Sequence, residues 1–453
     1  MFFALNPPQN KESKNTFGFK STNNPPQLKE LKAFEDDLFD IIQNIKYKPV
    51  SNAFQQEMKK DKERVIKSKE VIISADKTSN LYKMSVDEHK KKMMENVTQQ
   101  YKKCSSEKVN EVIKEAAKIA RQYDLQDKVD IPTQSEAFIT IKDHKEHFPG
   151  RVDCRLINPA KNHIGTISKH ILDNINGQIR KVTRSNQWKN TTEALEWFTN
   201  IPSKSSKSFL QFDIVQFYPS ISEKLLSDSL IWAGTMVNIS KEEMETIMHC
   251  RKTFLYYNQN AWVKKENSDF DVSMGSLDSA EVCELVGLFL LNKIEGLIPR
   301  QDVGLYRDDG LAVTSLPGPD IERLNKSLKK LFKTHGLTIE IQSGMKTTNF
   351  LDVTLYLDSS TFRPYRKDNK PPIYIKNSSN HPPHIKKELP RMISKRITQI
   401  SSNKEIFKEE APVYNTALEN SGFSQKLQYS EEPVHQGAKN RRRKREVLWF
   451  NPP

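Results

Sequence analysis

Apolar residues recur at helical spacing, between runs of Lys and Glu, over Leu28–Ile45, Phe54–Lys67 and Val86–Tyr123. A stripe of that period buries one side of a helix and wets the other, so the first quarter of the chain is predicted to be helical. Val71–Ala75 interrupts it as a short apolar run closed by Asp-Lys-Thr-Ser-Asn, the pattern of a strand ending in a loop. From Ala137 to Ile157 the runs shorten to strand length, broken by Asp-His-Lys and Phe-Pro-Gly, and a helix is predicted over Ile167–Lys181. Phe209–Ile214 reads as a buried strand, and Glu223–Ala233 and Asp278–Ile294 as helices. Val303–Thr314 reads strand, tight turn, strand, with the turn at Arg307-Asp308-Asp309-Gly310. Ile321–His335 is predicted to be an amphipathic helix and Phe350–Tyr356 a strand. Interleaved strands and helices of this kind predict an α+β fold with antiparallel pairing. The opening stretch, with Pro7, Pro8, Pro25 and Pro26, reads as a loosely packed arm.

At 453 residues the chain has room for two or three cores. Lys and Arg number 71 against 57 Asp and Glu, a formal charge of +14, which favours a polyanionic partner because each neutralised phosphate releases counterions. Cys104, Cys154, Cys250 and Cys283 lie far apart in no metal-like pair and are expected to be reduced thiols. The apolar start at Met1–Leu5 is too short for a signal peptide. No apolar run reaches membrane-spanning length, so no membrane role is expected, and nucleus or cytoplasm is the expected location. A dense basic run, Lys439, Arg441, Arg442, Arg443, Lys444 and Arg445, reads as a nuclear-localisation or nucleic-acid patch or as a solvated tail.

Two segments carry the chemistry. Phe-Asp-Ile-Val-Gln-Phe-Tyr-Pro-Ser-Ile, 212–221, ends an apolar strand in an acidic residue, Asp213. Gly-Leu-Tyr-Arg-Asp-Asp-Gly-Leu-Ala-Val, 304–313, sets Asp308 and Asp309 side by side in an apolar hairpin. Adjacent carboxylates repel unless a cation compensates, and Mg²⁺ suits them, being hard and oxygen-seeking. Two Mg²⁺ held by three carboxylates, with Mn²⁺ as a substitute, would form a clamp for in-line displacement at phosphorus. A bland reading stands beside this one, an ordinary polar turn, since Asp-Gly is a favoured hairpin turn.

These segments resemble motifs A and C of the reverse transcriptase palm, whose signature is an Asp-bearing strand and a Tyr-x-Asp-Asp hairpin. Ile-Thr-Ile-Lys-Asp-His-Lys, 139–145, and Cys-Arg-Leu-Ile-Asn-Pro-Ala-Lys, 154–161, resemble the two finger motifs, and the resemblance makes Lys142 and Arg155 the grip on the incoming triphosphate. Met-Gly-Ser-Leu-Asp-Ser-Ala-Glu, 274–281, resembles motif B, with Gly275 admitting backbone close to nucleotide and template. Met274 and Ser279-Ala280 depart from the family's usual Gln and Ser-Pro there. His335-Gly336-Leu337 with Lys346 resembles motif D, making Lys346 a candidate proton donor to pyrophosphate, with a solvated surface Lys as the alternative. Phe350, Leu351 and Asp352 resemble the primer grip, though an ordinary core strand would look the same. By the same resemblance the Ile214 carbonyl joins Asp213, Asp308 and Asp309 as a metal ligand. Tyr218 would be a steric gate that admits dNTPs, where RNA-dependent RNA polymerases typically place an acid. Within the family the likeness is to Penelope-like retroelements, carried by the finger segments, Phe-Tyr-Pro-Ser-Ile, Asn-His-Pro-Pro at 380–383, and Trp-Phe-Asn-Pro-Pro at 449–453. In that group a GIY-YIG endonuclease follows, and this chain carries no such motif, leaving open a truncated reading frame or a nuclease-free copy.

The resemblance implies a right-hand polymerase fold. It comprises a helical N-terminal extension over 1–129, fingers over 130–208, a palm with an antiparallel sheet over 209–377, a helical thumb over 378–430 and a basic tail over 431–453. It implies an RNA-directed DNA polymerase of a retrotransposon, acting on an RNA template, a DNA primer and dNTPs. The alternative is a retroelement-derived nucleic-acid-binding protein without turnover. The oligomeric state stays open.

Overall fold

The computed structural model describes residues 28–46, 53–78, 80–126, 135–159, 164–265, 270–273, 275–367 and 371–430. The opening arm, the basic run and the Trp-Phe-Asn-Pro-Pro stretch lie outside the described residues.

Helices α1 (Lys32–Gln43) and α2 (Ala53–Lys67) come first, then strands β1 (Glu70–Ser74) and β2 (Leu81–Ser85), α3 (Val86–Gln100), β3 (Tyr101–Lys103) and α4 (Ser106–Gln122). Strands β4 (Phe138–Ile141) and β5 (Cys154–Ile157) precede α5 (Ile164–Thr183), β6 (Asn186–Gln187), α6 (Thr191–Asn200) and β7 (Ser208–Ile214). Then come α7 (Phe217–Ser220), α8 (Glu223–Gly234), α9 (Lys241–His249), β8 (Leu255–Tyr257), β9 (Asn260–Lys264) and α10 (Ser279–Ile294). The hairpin strands β10 (Val303–Tyr306) and β11 (Asp309–Thr314) lead into α11 (Gly318–Thr334) and β12 (Ile339–Met345). The chain continues through β13 (Thr347–Phe350), β14 (Val353–Tyr356), β15 (Thr361–Pro364), α12 (Pro383–Gln399) and α13 (Lys404–Asn420).

The chain divides into two compact units, one within 1–184, 215–290 and 332–338, the other within 185–214, 291–331 and 339–453. In the first, β1 and β2 pair antiparallel, β4 pairs β5, and β3 joins β9 and β8. The helix predicted over Val86–Tyr123 is broken there. Tyr101 is buried opposite Lys264 in the β3–β9 ladder, and Ser105 restarts the helix by accepting the Lys108 N–H at 3.4 Å. Helical periodicity on either side of a three-residue strand hides the strand, because three residues are too few to show alternation.

The second unit holds a five-stranded sheet in the order β12-β7-β11-β10-β6 and a three-stranded sheet β13-β14-β15. Its core gathers Phe209, Leu311 and Val313 with Trp188, Phe198, Phe350, Val353, Leu355, Ile397, Phe407 and Leu418. The predicted strand over Phe350–Tyr356 is also corrected. Phe350 pairs with Val353, so Leu351-Asp352 is a two-residue turn, with Leu351 at φ +56. A left-handed Leu is costly by sterics, which is why the sequence reads as continuous strand. All four cysteines are free thiols, and among the described residues no helix is long and apolar enough to cross a membrane.

Candidate active site

Strand β7 buries one apolar face, while its other face runs from buried Phe209 through half-buried Gln211 to Asp213. Leu210, Phe212 and Ile214 are buried on the first face and Phe209 on the second, as expected for an interior strand. The second face opens progressively toward the strand's end, where Asp213 is exposed. The ladder registers Asp213 directly opposite Asp309 of β11 on one side and Glu340 of β12 on the other. Directly opposite residues of an antiparallel ladder share a face, at Cα spacings of roughly 4.5–5.5 Å, so three carboxylates stand in one row across three strands. Carboxylates separated by 96 positions along the chain (309 − 213 = 96) are thereby neighbours.

The third predicted carboxylate follows from the hairpin. Tyr306 pairs with Asp309, which makes Arg307-Asp308 the two turn residues. Arg307 takes φ +55, a left-handed conformation, and its guanidinium lies 5.8 Å from the Tyr306 ring centre. The Asp308 carbonyl accepts the Ile214 N–H at 3.0 Å, tying the turn to the end of β7. Asp308 and Asp309 are half-buried.

Gly310 corrects the Asp-Gly turn reading. It lies within β11, opposite Phe212, and a Cβ there would fall 2.1 Å from that ring's Cζ. Its absent side chain makes room for a buried ring. Gly310→Ala is therefore expected to destabilise the protein by about 1–3 kcal/mol through overpacking, seen as a lower midpoint in thermal unfolding. An unchanged midpoint would show that Phe212 yields freely.

The donor set fits hard divalent cations: three carboxylates plus the Ile214 carbonyl supply only oxygens, and like charges placed directly opposite repel until a cation offsets them. Among the described residues, no three His, Cys, Asp or Glu side chains are already gathered as a metal-holding group, so the fit rests on strand register and donor chemistry.

The other predicted residues divide. Lys346 is not brought to the carboxylates. It follows Met345, which pairs with Phe209, whereas Asp213 lies four residues further along β7, roughly 13 Å away. Its ammonium donates to the carbonyls of Ser205 at 2.5 Å and Lys207 at 2.8 Å, anchoring the opposite end of the strand. Phe350 is core, with its ring edge-on to Trp188. Asp352 accepts from Thr191 Oγ1 at 2.6 Å and from Arg396 Nε at 3.1 Å, joining the β13–β14 turn to α12.

Lys142, Arg155, Gly275 and Tyr218 belong to the first unit. Gly275, at φ +112, passes so close to the Asn158 carbonyl that a Cβ would lie 2.5 Å from its oxygen. Arg155 forms an ion pair with Asp76 at 3.1 Å, and Tyr218 is half-buried in the short helix α7. Sequence reasoning missed Glu340, Asp76 and Arg396. Glu340 alone left a trace, a charge between Ile339 and Ile341 where alternation exposes one face.

With this geometry goes the fold of right-hand nucleic-acid polymerases, of the reverse-transcriptase-like kind. The solved structures it resembles include the apo telomerase of Candida tropicalis, at 10% identity and TM-score 0.50, covering 87% of this chain and 76% of that one. Telomerase from Candida albicans, in complex with a fragment of telomeric RNA, matches at 10% identity and TM-score 0.52 over 89% of this chain and 70% of that one. The RNA-dependent RNA polymerase of a human picobirnavirus matches at 10% identity and TM-score 0.45, over 88% and 86%. A family model described as the animal helix-turn-helix domain matches residues 373–428, which contain the 17-residue helices α12 and α13. No curated protein sequence matches the chain.

Proposed function

We propose that this protein is an RNA-directed DNA polymerase of a Penelope-like retrotransposon, extending a DNA primer on an RNA template with dNTPs. The observation that carries the reading is the register of Asp213 against Asp309, with Asp308 in the adjoining turn. Two Mg²⁺ ions held by Asp213, Asp308, Asp309 and the Ile214 carbonyl would supply activation of the primer 3′-hydroxyl and charge stabilisation of the leaving pyrophosphate. The chain's own residues do the positioning. The Ile214–Asp308 hydrogen bond sets the height of the hairpin tip against β7, and the packed sheet beneath fixes the carboxylate row. Lys142 and Arg155 would take the triphosphate, Arg155 by its planar fork. The Leu351-Asp352 turn, tethered to α12 through Arg396, would seat the primer end. Fingers over 130–208, a palm over 209–377 and a thumb over 378–430 remain the proposed division, with action in the nucleus or cytoplasm.

Tyr218 is proposed as the steric gate. Tyr218→Ala is expected to raise ribonucleotide incorporation at least about tenfold over wild type, read from extension with single rNTPs. No gain would remove that role.

The helix-turn-helix match favours a second reading, nucleic-acid binding without turnover. On α12, Lys387, Arg391 and Lys395 are exposed at every fourth position, one basic stripe suited to phosphates. Primer extension on an RNA template with Mg²⁺ and dNTPs separates the two: extension supports the polymerase, and binding alone supports the relic.

A further inference from the structure

Of the two cationic residues assigned above to the triphosphate, Arg155 lies on β5 and Lys142 directly follows β4, and the hairpin β1–β2 is built against this pair of strands. Ala75 bridges to Ile141 in parallel, and the Asp76 N–H donates to the Ile141 carbonyl at 2.8 Å. The Asp76 carboxylate, 7% exposed, meets Arg155 Nη1 at 3.1 Å, while the Arg155 side chain stays 33% exposed. On the far side of Lys142, Asp143 Oδ2 accepts from Thr78 Oγ1 at 2.5 Å, Asn80 Nδ2 at 2.8 Å and the Tyr82 hydroxyl at 2.9 Å. Lys142 donates its own N–H to the Asp153 carbonyl at 2.9 Å. Ile141 and Asp143, the chain neighbours of Lys142, are thus gripped by Asp76 and by Thr78, Asn80 and Tyr82 respectively, and Asp76 also holds Arg155.

Such a bracket has a physical use. A free Arg side chain samples many rotamers, and that freedom is lost when it clamps a phosphate. One guanidinium nitrogen held by a buried carboxylate leaves the remaining N–H donors of the fork for a ligand, with that loss already met in folding. Asp143 is suited to its part: burial works to raise its pKa, but the Thr78, Asn80 and Tyr82 hydrogen bonds hold it below the ordinary carboxylate value.

We propose that the β1–β2 hairpin is a positioning element for the nucleotide grip, with Asp76 orienting Arg155 and Asp143 orienting the backbone that carries Lys142. This rests on the polymerase reading for the identity of the ligand, a deoxynucleoside triphosphate. Asp76 and Asp143 are positioning residues, acting through Arg155 and Lys142.

The test is equilibrium binding of dTTP with Mg²⁺ to the full chain, together with KM and kcat for primer extension. Asp76→Asn is expected to weaken dTTP binding and raise KM about tenfold while kcat stays within about threefold. Arg155→Ala should produce a similar loss. The double variant should be no worse than Arg155→Ala alone, because Asp76 acts only through that side chain. Tyr82→Phe, which removes one donor to Asp143 and leaves the ladder intact, should raise KM by about two- to threefold and serves if Asp76→Asn fails to fold. Wild-type or tighter dTTP binding by Asp76→Asn overturns the proposal, as do strictly additive losses in the double variant. Absent extension by a wild-type chain that binds dTTP counts against the polymerase reading alone, and the binding cycle still decides the role of Asp76.

Discussion

Asp308→Asn is expected to reduce primer extension on an RNA template by roughly 10³-fold or more while leaving duplex affinity within a few-fold of wild type. The substitution preserves the shape of the turn, since the backbone carbonyl of residue 308, which accepts the Ile214 N–H, is untouched. It removes one unit of negative charge from the carboxylate group at the end of β7 and β11. Electrostatic positioning at phosphorus is where such a charge has its largest effect, and a neutral amide is a far poorer ligand for Mg²⁺. Duplex binding would rest on Lys and Arg contacts to phosphates, and the variant alters no Lys or Arg. Single-turnover extension and fluorescence anisotropy on the same preparation read both quantities. Full-rate extension by the variant would sink the catalytic assignment of the hairpin, and a parallel collapse of duplex binding would assign Asp308 to binding.

The largest stability effect is expected at Asp278, within the segment that resembles motif B. Its carboxylate is 1% exposed and paired with Arg251, which is 0% exposed, and Ser168 Oγ donates to its other oxygen at 2.5 Å. Burial works against the charged guanidinium, but Asp278, with smaller help from Cys250 and Asp271, outweighs it and raises the Arg251 pKa. Arg251 Nε and Nη1 have no hydrogen-bond partner among the described residues, so Asp278 is the main compensation for a buried cation. Asp278→Ala is therefore expected to cost about 3–5 kcal/mol by stranding that charge. Thermal unfolding should show a drop of roughly 6–20 °C for a unit of this size. Arg251→Met with Asp278→Leu, which removes both charges, should recover most of the loss. A single variant within about 1 kcal/mol of wild type would mean that water reaches Arg251.

The two variants mark different kinds of legibility. Asp308 and Asp309 stood out because two adjacent acids between apolar strands conflict with local preference, and such conflicts point to sites. The strands Phe209–Ile214 and Val303–Thr314 and the helices Asp278–Ile294 and Ile321–His335 were legible from period alone, since their burial is one-sided or continuous over enough residues. Asp278 and Arg251 were silent, because nothing in a sequence says which two charges meet in a core.

Periodicity set most of the element types and the α+β class, and motif order singled out the three acids as candidates, because each signal is written in residues close together along the chain. Tertiary structure alone decided the rest. Strand register put Glu340 beside Asp213 and Lys346 at the wrong end of β12. Ring packing, and no turn, explained Gly310. A hairpin some 80 positions upstream supplied Asp76 to Arg155 (155 − 76 = 79). Those facts depend on which distant segments pair and in what offset, a choice made by the packing of whole faces, to which a local pattern is blind.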